Sequence, residues 1–202
     1  MMTACSSRPI SEQAIAPIFK LDSVQSLEKY KLFIGHPTPS LYSICRHKTC
    51  REIVQVSLTD IQWQNVEALF YPLANSTEQE REQIKQAIAL LEIYTGEQTN
   101  THNDRGENDS KSGIQGQMDC IDEATNTTVY LRMISKAGLL TWHKEASRIG
   151  RGVMTGNIPH NTATIIEIES GTPYAVDSWF EDNGVEPHIL PLAEWKSGWW
   201  PQ

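Results

Sequence analysis

The chain has 202 residues, enough for one domain with a small extension, and enough to bury a sizeable core without metal or many disulfides. Hydrophobic residues make up 39% and charged residues 21%, an ordinary globular balance. The net charge of −8 and the lack of a basic stripe argue against nucleic acid as a partner, and no apolar run approaches the roughly 18 residues of a membrane span.

The first residues, Met1-Met2-Thr3-Ala4-Cys5-Ser6-Ser7, resemble the end of a bacterial lipoprotein signal. In such a signal a cysteine after small residues is lipidated and becomes the mature N-terminus. The charged start and apolar stretch are missing, so on this reading the numbering begins inside the signal or the start codon is placed too late. The alternative is a cytosolic protein with a chance Thr-Ala-Cys. The lipoprotein reading makes Cys5 the lipidation site and residues 1–29 an N-terminus and tether. It makes residues 30–202 the folded domain. It also places the protein in the bacterial cell envelope, held to the membrane by lipid only and facing the periplasm.

Residues 30–58 read as extended. Tyr42, Ile44, Ile53, Val54, Val56 and Leu58 predict a hairpin around Cys45 and Cys50. Those two cysteines flank four residues and can close the hairpin as a disulfide. Zinc on Cys45, His47 and Cys50 is the rival, but it lacks a fourth ligand and matches no common zinc module. A helix is predicted after Thr59, with Ile61, Val66, Leu69 and Phe70 on one face and Pro72 beyond its end. A second starts at Thr77, read with Glu80 as a capping box, and ends at Thr95-Gly96. Its stripe of Ile84, Ala87, Ile88 and Leu91 predicts core packing.

Residues 97–117 are polar and read as a solvated loop. Asp104, Glu107 and Asp109 raise the thought of calcium, but their spacing is not that of an EF-hand. A third helix follows, carrying Ile121, Ala124, Val129, Leu131, Met133 and Ile134 and ending at Gly138. Then the pattern turns to strands: one opening at Leu139–Trp142 and closing at His143, a strong one over 162–168, and one over 174–180 joined to it by the Ser170-Gly171 turn. Helices first and an antiparallel sheet last is an α+β order. Trp195, Trp199 and Trp200 are expected to pack the C-terminal segment onto the core, with a binding face as the alternative.

Chemistry concentrates at Cys120. A thiol attacks only as thiolate, and at a reference pKa of about 8.5 it needs help at neutral pH. A helix start and a nearby imidazolium supply that help, and Cys120 sits where the polar loop meets the third helix. Six histidines are candidate bases. His160 is preferred because it opens the strongest strand; His143 is the second choice. Asp177 lies in the next strand, across the turn, where it can fix the imidazole tautomer. With Cys5, Cys45 and Cys50 given other jobs, Cys120 is a thiol left over in an oxidising compartment, and catalysis explains it.

Asp119-Cys120-Ile121-Asp122-Glu123-Ala124, then His160, an apolar strand, Gly171 and Tyr174-Ala175-Val176-Asp177, resemble the nucleophile, base and acid segments of the bacterial transglutaminase-like cysteine proteinases. The likeness covers roughly residues 116–181, in the family's order Cys, His, Asp. Glu123 stands where that family often has an aromatic, and Ile121 where some members carry an acidic residue near calcium. The resemblance implies a papain-like core, with the nucleophile's helix packed on an antiparallel sheet. It also implies acyl chemistry on an amide through a thioester, with no cofactor and no metal. A protein or peptide in the envelope is the implied substrate. The oxyanion needs a donor: the Cys120 N–H, with Gln115 or Gln117 as side-chain candidates. A cysteine peptidase or amidase is the leading expectation. A transglutaminase-type acyl transferase, a non-catalytic partner-binding lipoprotein and an NlpC-type cell-wall hydrolase are the alternatives.

Overall fold

The computed structural model describes residues 18–20, 36–108, 115–152 and 159–202. Cys5, Asp109 and most of the stretch read as a tether lie outside the described residues. The elements, in order, are β1 (Ile18–Lys20), β2 (Tyr42–Arg46), β3 (Glu52–Val56), α1 (Asp60–Ala68), α2 (Thr77–Thr99), α3 (Cys120–Lys136), β4 (His143–Arg151), β5 (His160–Glu167), β6 (Pro173–Asp177), β7 (His188–Pro191) and α4 (Leu192–Lys196). The protein is thus α+β at the coarse level, with its main antiparallel sheet after three helices.

β2 and β3 form the expected hairpin, and Cys45 and Cys50 are joined as a disulfide. Bridged sulfurs are not thiolates, so the zinc alternative loses both its cysteine ligands and keeps only His47. β1, from within the stretch read as a tether, pairs antiparallel with β3. Thr59 caps α1 and completes a capping box with Gln62. Val66 and Phe70 are buried, but Ile61 is 70% exposed. At 3.6 residues per turn, five residues rotate Ile61 about 140° away from Val66, off the predicted face.

α2 differs from expectation at both ends. Its N-cap is Ser76, which accepts from the Gln79 N–H, not Thr77. Glu80 is buried and takes no part in a capping box. Its carboxylate accepts the N–H groups of Thr141, Trp142 and His143 and bonds His143 Nδ1 at 2.8 Å. The helix runs through Gly96 to Thr99 and ends at Asn100, which is left-handed (φ 59°). Gly96 lies inside the helix and serves close packing there, since a Cβ would meet Asn183 and His102 at 3.0 Å. The stripe Ile84, Ala87, Ile88 and Leu91 is core. The 97–117 stretch is less solvated than predicted, since Thr101, Asp104 and Gln117 are buried.

α3 ends as predicted, with Gly138 left-handed (φ 72°) just beyond it. β4 starts at His143 rather than closing there, because Glu80 holds the preceding N–H groups in a turn. β6 stops at Asp177, short of the expected 180, and the chain turns at Trp179 and Phe180. The sheet runs β4-β5-β6-β7, antiparallel throughout. α3 packs on β4 and β5 and also on β2, so it joins the two sheets through one continuous core. The other face of the main sheet carries a smaller cluster of Ala175, Leu190, Leu192 and Trp195. Among the described residues no helix is long and apolar enough to cross a membrane.

Candidate active site

Cys120 is the first residue of α3, where the helix's leading N–H groups lack intrahelical partners and its dipole favours negative charge. Asp119 caps the helix: its Oδ1 accepts from Ile121 and Asp122 N–H, both at 3.0 Å. The first N–H, that of Cys120 itself, is not among those the cap takes. Asp122 completes a capping box.

The two cap carboxylates are held in turn by the disulfide loop. His47, Lys48, Thr49 and Cys50 all have φ between 54° and 63°, a left-handed turn that lines up consecutive N–H groups. Thr49 N–H donates to Asp119 Oδ2 at 2.8 Å, and Lys48 and Cys50 N–H donate to the two Asp122 oxygens at 2.8 and 2.6 Å. Burial and then the Asp119 charge push the Asp122 carboxyl up to about 7, against the pull of those N–H groups. The hairpin therefore manages the charge beside Cys120.

Strand register brings His160 and Asp177 together. Ala163 pairs with Val176, and continuing that register sets Asp177 across from Thr162, on the same face as His160 and diagonal to it. Diagonal Cβ atoms lie about 7–8 Å apart, within reach of an imidazole. His160 Nε2 meets Asp177 Oδ2 at 2.7 Å. The Cys120 thiol is close enough to act on the imidazole as well, and both its hydrogen-bonding and its charge favour the protonated ring. Burial pulls His160 down, but the hydrogen bonds and charges of Asp177 and Cys120 outweigh it and hold the imidazole above its ordinary value. The ring is walled by Trp179, Phe180 and Trp195, with centroids 4.7, 5.2 and 5.6 Å away.

Asp177 is itself fixed. Trp195 Nε1–H donates to its Oδ2 at 2.6 Å and Trp179 N–H to its Oδ1 at 3.3 Å. Trp195 is held by Arg151, whose guanidinium lies 4.5 Å over the indole and donates to the carbonyls of Trp195 and Trp199. The C-terminal tryptophans thus pack as predicted, but one of them also reaches the acid, an 18-residue link that no local pattern announces.

Other candidates fall away from the sulfur. His143 opens β4 and Arg151, the partner of His160, closes it, so His143 sits at the far end of the sheet. Gln115 is exposed, with its carbonyl bonded to Asn103 Nδ2. Gln117 is buried, but its amide N–H donates to the Asn103 carbonyl at 2.7 Å and its oxygen accepts from Arg105 N–H and Asn108. Neither glutamine is presented to Cys120. The residue that does approach is Asn161, whose Nδ2 lies 3.8 Å from Sγ.

Beneath the first turns of α3 lies a buried carboxyl cluster. Burial is the main cause that raises Glu92 to about 8, Asp104 to about 6 and Glu123 well above its ordinary range; the charge of Asp104 adds to it at Glu92, that of Asp182 at Asp104, and those of Glu92 and Asp104 at Glu123. Asp104 accepts the Met118 N–H at 2.9 Å and hydrogen-bonds Glu123, so the chain just before Cys120 is anchored to it. Among the described residues no group of three or more His, Cys, Asp or Glu side chains is placed to hold a metal ion. No family model, no curated protein and no solved structure matches this chain.

Proposed function

We propose that this chain is a cysteine peptidase or amidase of the transglutaminase-like, papain-like kind, acting on protein or peptide in the bacterial envelope, with a lipid anchor at Cys5. Cys120 is the nucleophile, His160 the base and Asp177 the residue that orients the base. The observation that carries this reading is the 2.7 Å bond between His160 Nε2 and Asp177 Oδ2, with the Cys120 thiol at a helix N-terminus near enough to help raise the imidazole.

In this reaction the Cys120 thiolate attacks the amide carbon. A C–S bond forms as the carbonyl π pair moves to oxygen. The adduct collapses, the C–N bond breaks, and the amine leaves with the proton of the His160 imidazolium. Water then gives a proton to neutral His160 and attacks the thioester, and the C–S bond breaks to return thiolate and imidazolium. An amine in place of water gives acyl transfer by the same residues.

Iodoacetamide labelling of the wild type and His160→Ala tests the pairing. The wild type should label Cys120 at pH 6.5 at least about tenfold faster than the variant. Equal labelling of both, at the rate of glutathione, would overturn the reading.

A further inference from the structure

We infer that Asn161 is a catalytic residue, the side-chain donor to the oxyanion that Gln115 and Gln117 do not supply. The inference rests on the reading of Cys120 as nucleophile and His160 as base.

Successive side chains of a strand point to opposite faces. His160 points to the face of Asp177 and Trp195. Asn161 points to the other, the face on which Ala163 and Ile165 join the core beneath α3. Two adjacent residues of β5 therefore converge on Cys120 from either side of the sheet's end. Asn161 Nδ2 is 3.8 Å from Sγ, a hydrogen bond to sulfur. When the thiolate attacks, its charge moves to an oxygen one carbon away. A donor already beside sulfur can follow it, reaching the roughly 2.7–3.1 Å that an oxyanion donor needs. The Cys120 N–H, left by the Asp119 cap, is the matching backbone donor.

The amide is also given room. Asn161 pairs with Gly150 in the β4–β5 register, and a Cβ on Gly150 would stand 3.3 Å from Asn161 Oδ1. Any other residue at 150 would crowd the carboxamide. Gln117, the nearer match to a papain-like donor in the sequence, has its N–H on a main-chain carbonyl.

Two probes separate this role from mere packing. Iodoacetamide reacts by displacement at a saturated carbon and forms no oxyanion, whereas p-nitrophenyl acetate acylates sulfur through one. Both rates are measured on Cys120 in the wild type and in Asn161→Ala, with thermal melts to confirm folding. Acylation should fall by about 100-fold and alkylation by no more than about tenfold. Gly150→Ala, which leaves Asn161 in place but shifts its amide, should lower acylation selectively and by less. It also decides the matter if Asn161→Ala does not fold. Unchanged rates, or equal losses with both probes, would overturn the assignment. A wild type that alkylates no faster than glutathione would instead remove the nucleophile reading on which it rests.

Discussion

Opening the Cys45–Cys50 bridge, by the double substitution Cys45→Ser and Cys50→Ser, should cost about 2 kcal/mol of stability and slow the labelling of Cys120. The bridge spans five residues, and the entropy of closing so short a loop in the denatured chain corresponds to about 2 kcal/mol. Two local effects oppose each other. Four left-handed residues each cost roughly 1–2 kcal/mol. Three N–H bonds to carboxylates each return roughly 1.5–3 kcal/mol. The two sums are comparable, so the turn relaxes at little net cost and the bridge decides the total. At about 2–4 °C per kcal/mol for a chain of this size, the melting midpoint should fall by about 4–8 °C. Once the turn relaxes, Asp119 loses the Thr49 N–H that offsets its charge, and a thiolate beside it is disfavoured. Iodoacetamide labelling at pH 6.5 should therefore slow with the melt. A midpoint within about 1 °C of wild type, with labelling unchanged, would refute the claim that the bridge holds the cap of α3.

Asp177→Asn removes the charge that raises His160, so the imidazole should titrate lower by NMR and labelling at pH 6.5 should drop by about tenfold or more. Glu80→Ala strands the N–H groups of Thr141, Trp142 and His143 and should cost about 3 kcal/mol or more in a urea titration. Stability should peak near pH 5 and fall toward pH 8. Glu92, Asp104, Asp122 and Glu123 are all raised, so between their ordinary and folded values the native state holds more protons than the unfolded chain and loses stability as pH rises. His160, also raised, loses its contribution in the same direction. Glu80 is lowered, chiefly by its hydrogen bonds to His143, Thr141 and Trp142 overcoming burial, so its contribution is lost as pH falls below about 4.5. Denaturant midpoints from pH 4 to 9 check this, and a rise between pH 5.5 and 8 would contradict it.

What the sequence disclosed was mostly local. The start of α3 at Cys120, its end at Gly138, the Gly171 turn and the bridged hairpin all follow from caps, glycines and alternation within a few residues. The pairing of His160 with Asp177 was legible for the same reason, because they lie on neighbouring strands with one tight turn between them. Errors arose where a distant group captured a side chain. Glu80 has the spacing of a capping box, but a turn some 60 residues away takes its carboxylate. Gln117 looks like an oxyanion donor, but the 103–108 segment consumes its amide. Gly96 looks like a helix stop, yet it lies in the helix interior, where its lack of a side chain admits Asn183. Trp195 and Asn161 carried no local signal: one acts through a bond across 18 residues, the other across 41.

The Trp195–Asp177 bond has a consequence for biogenesis. The site's parts leave the ribosome in the order nucleophile, base, acid, and then the indole that fixes the acid. A nascent chain carries its thiol long before the clasp of Arg151, Trp195 and Trp199 can close. Until that helix docks, Asp177 has only the Trp179 N–H to hold it and the imidazole lacks one of its three aromatic neighbours. On the proposed reading, synthesis order thus delays completion of the Cys120 site until most of the sheet around it has been made.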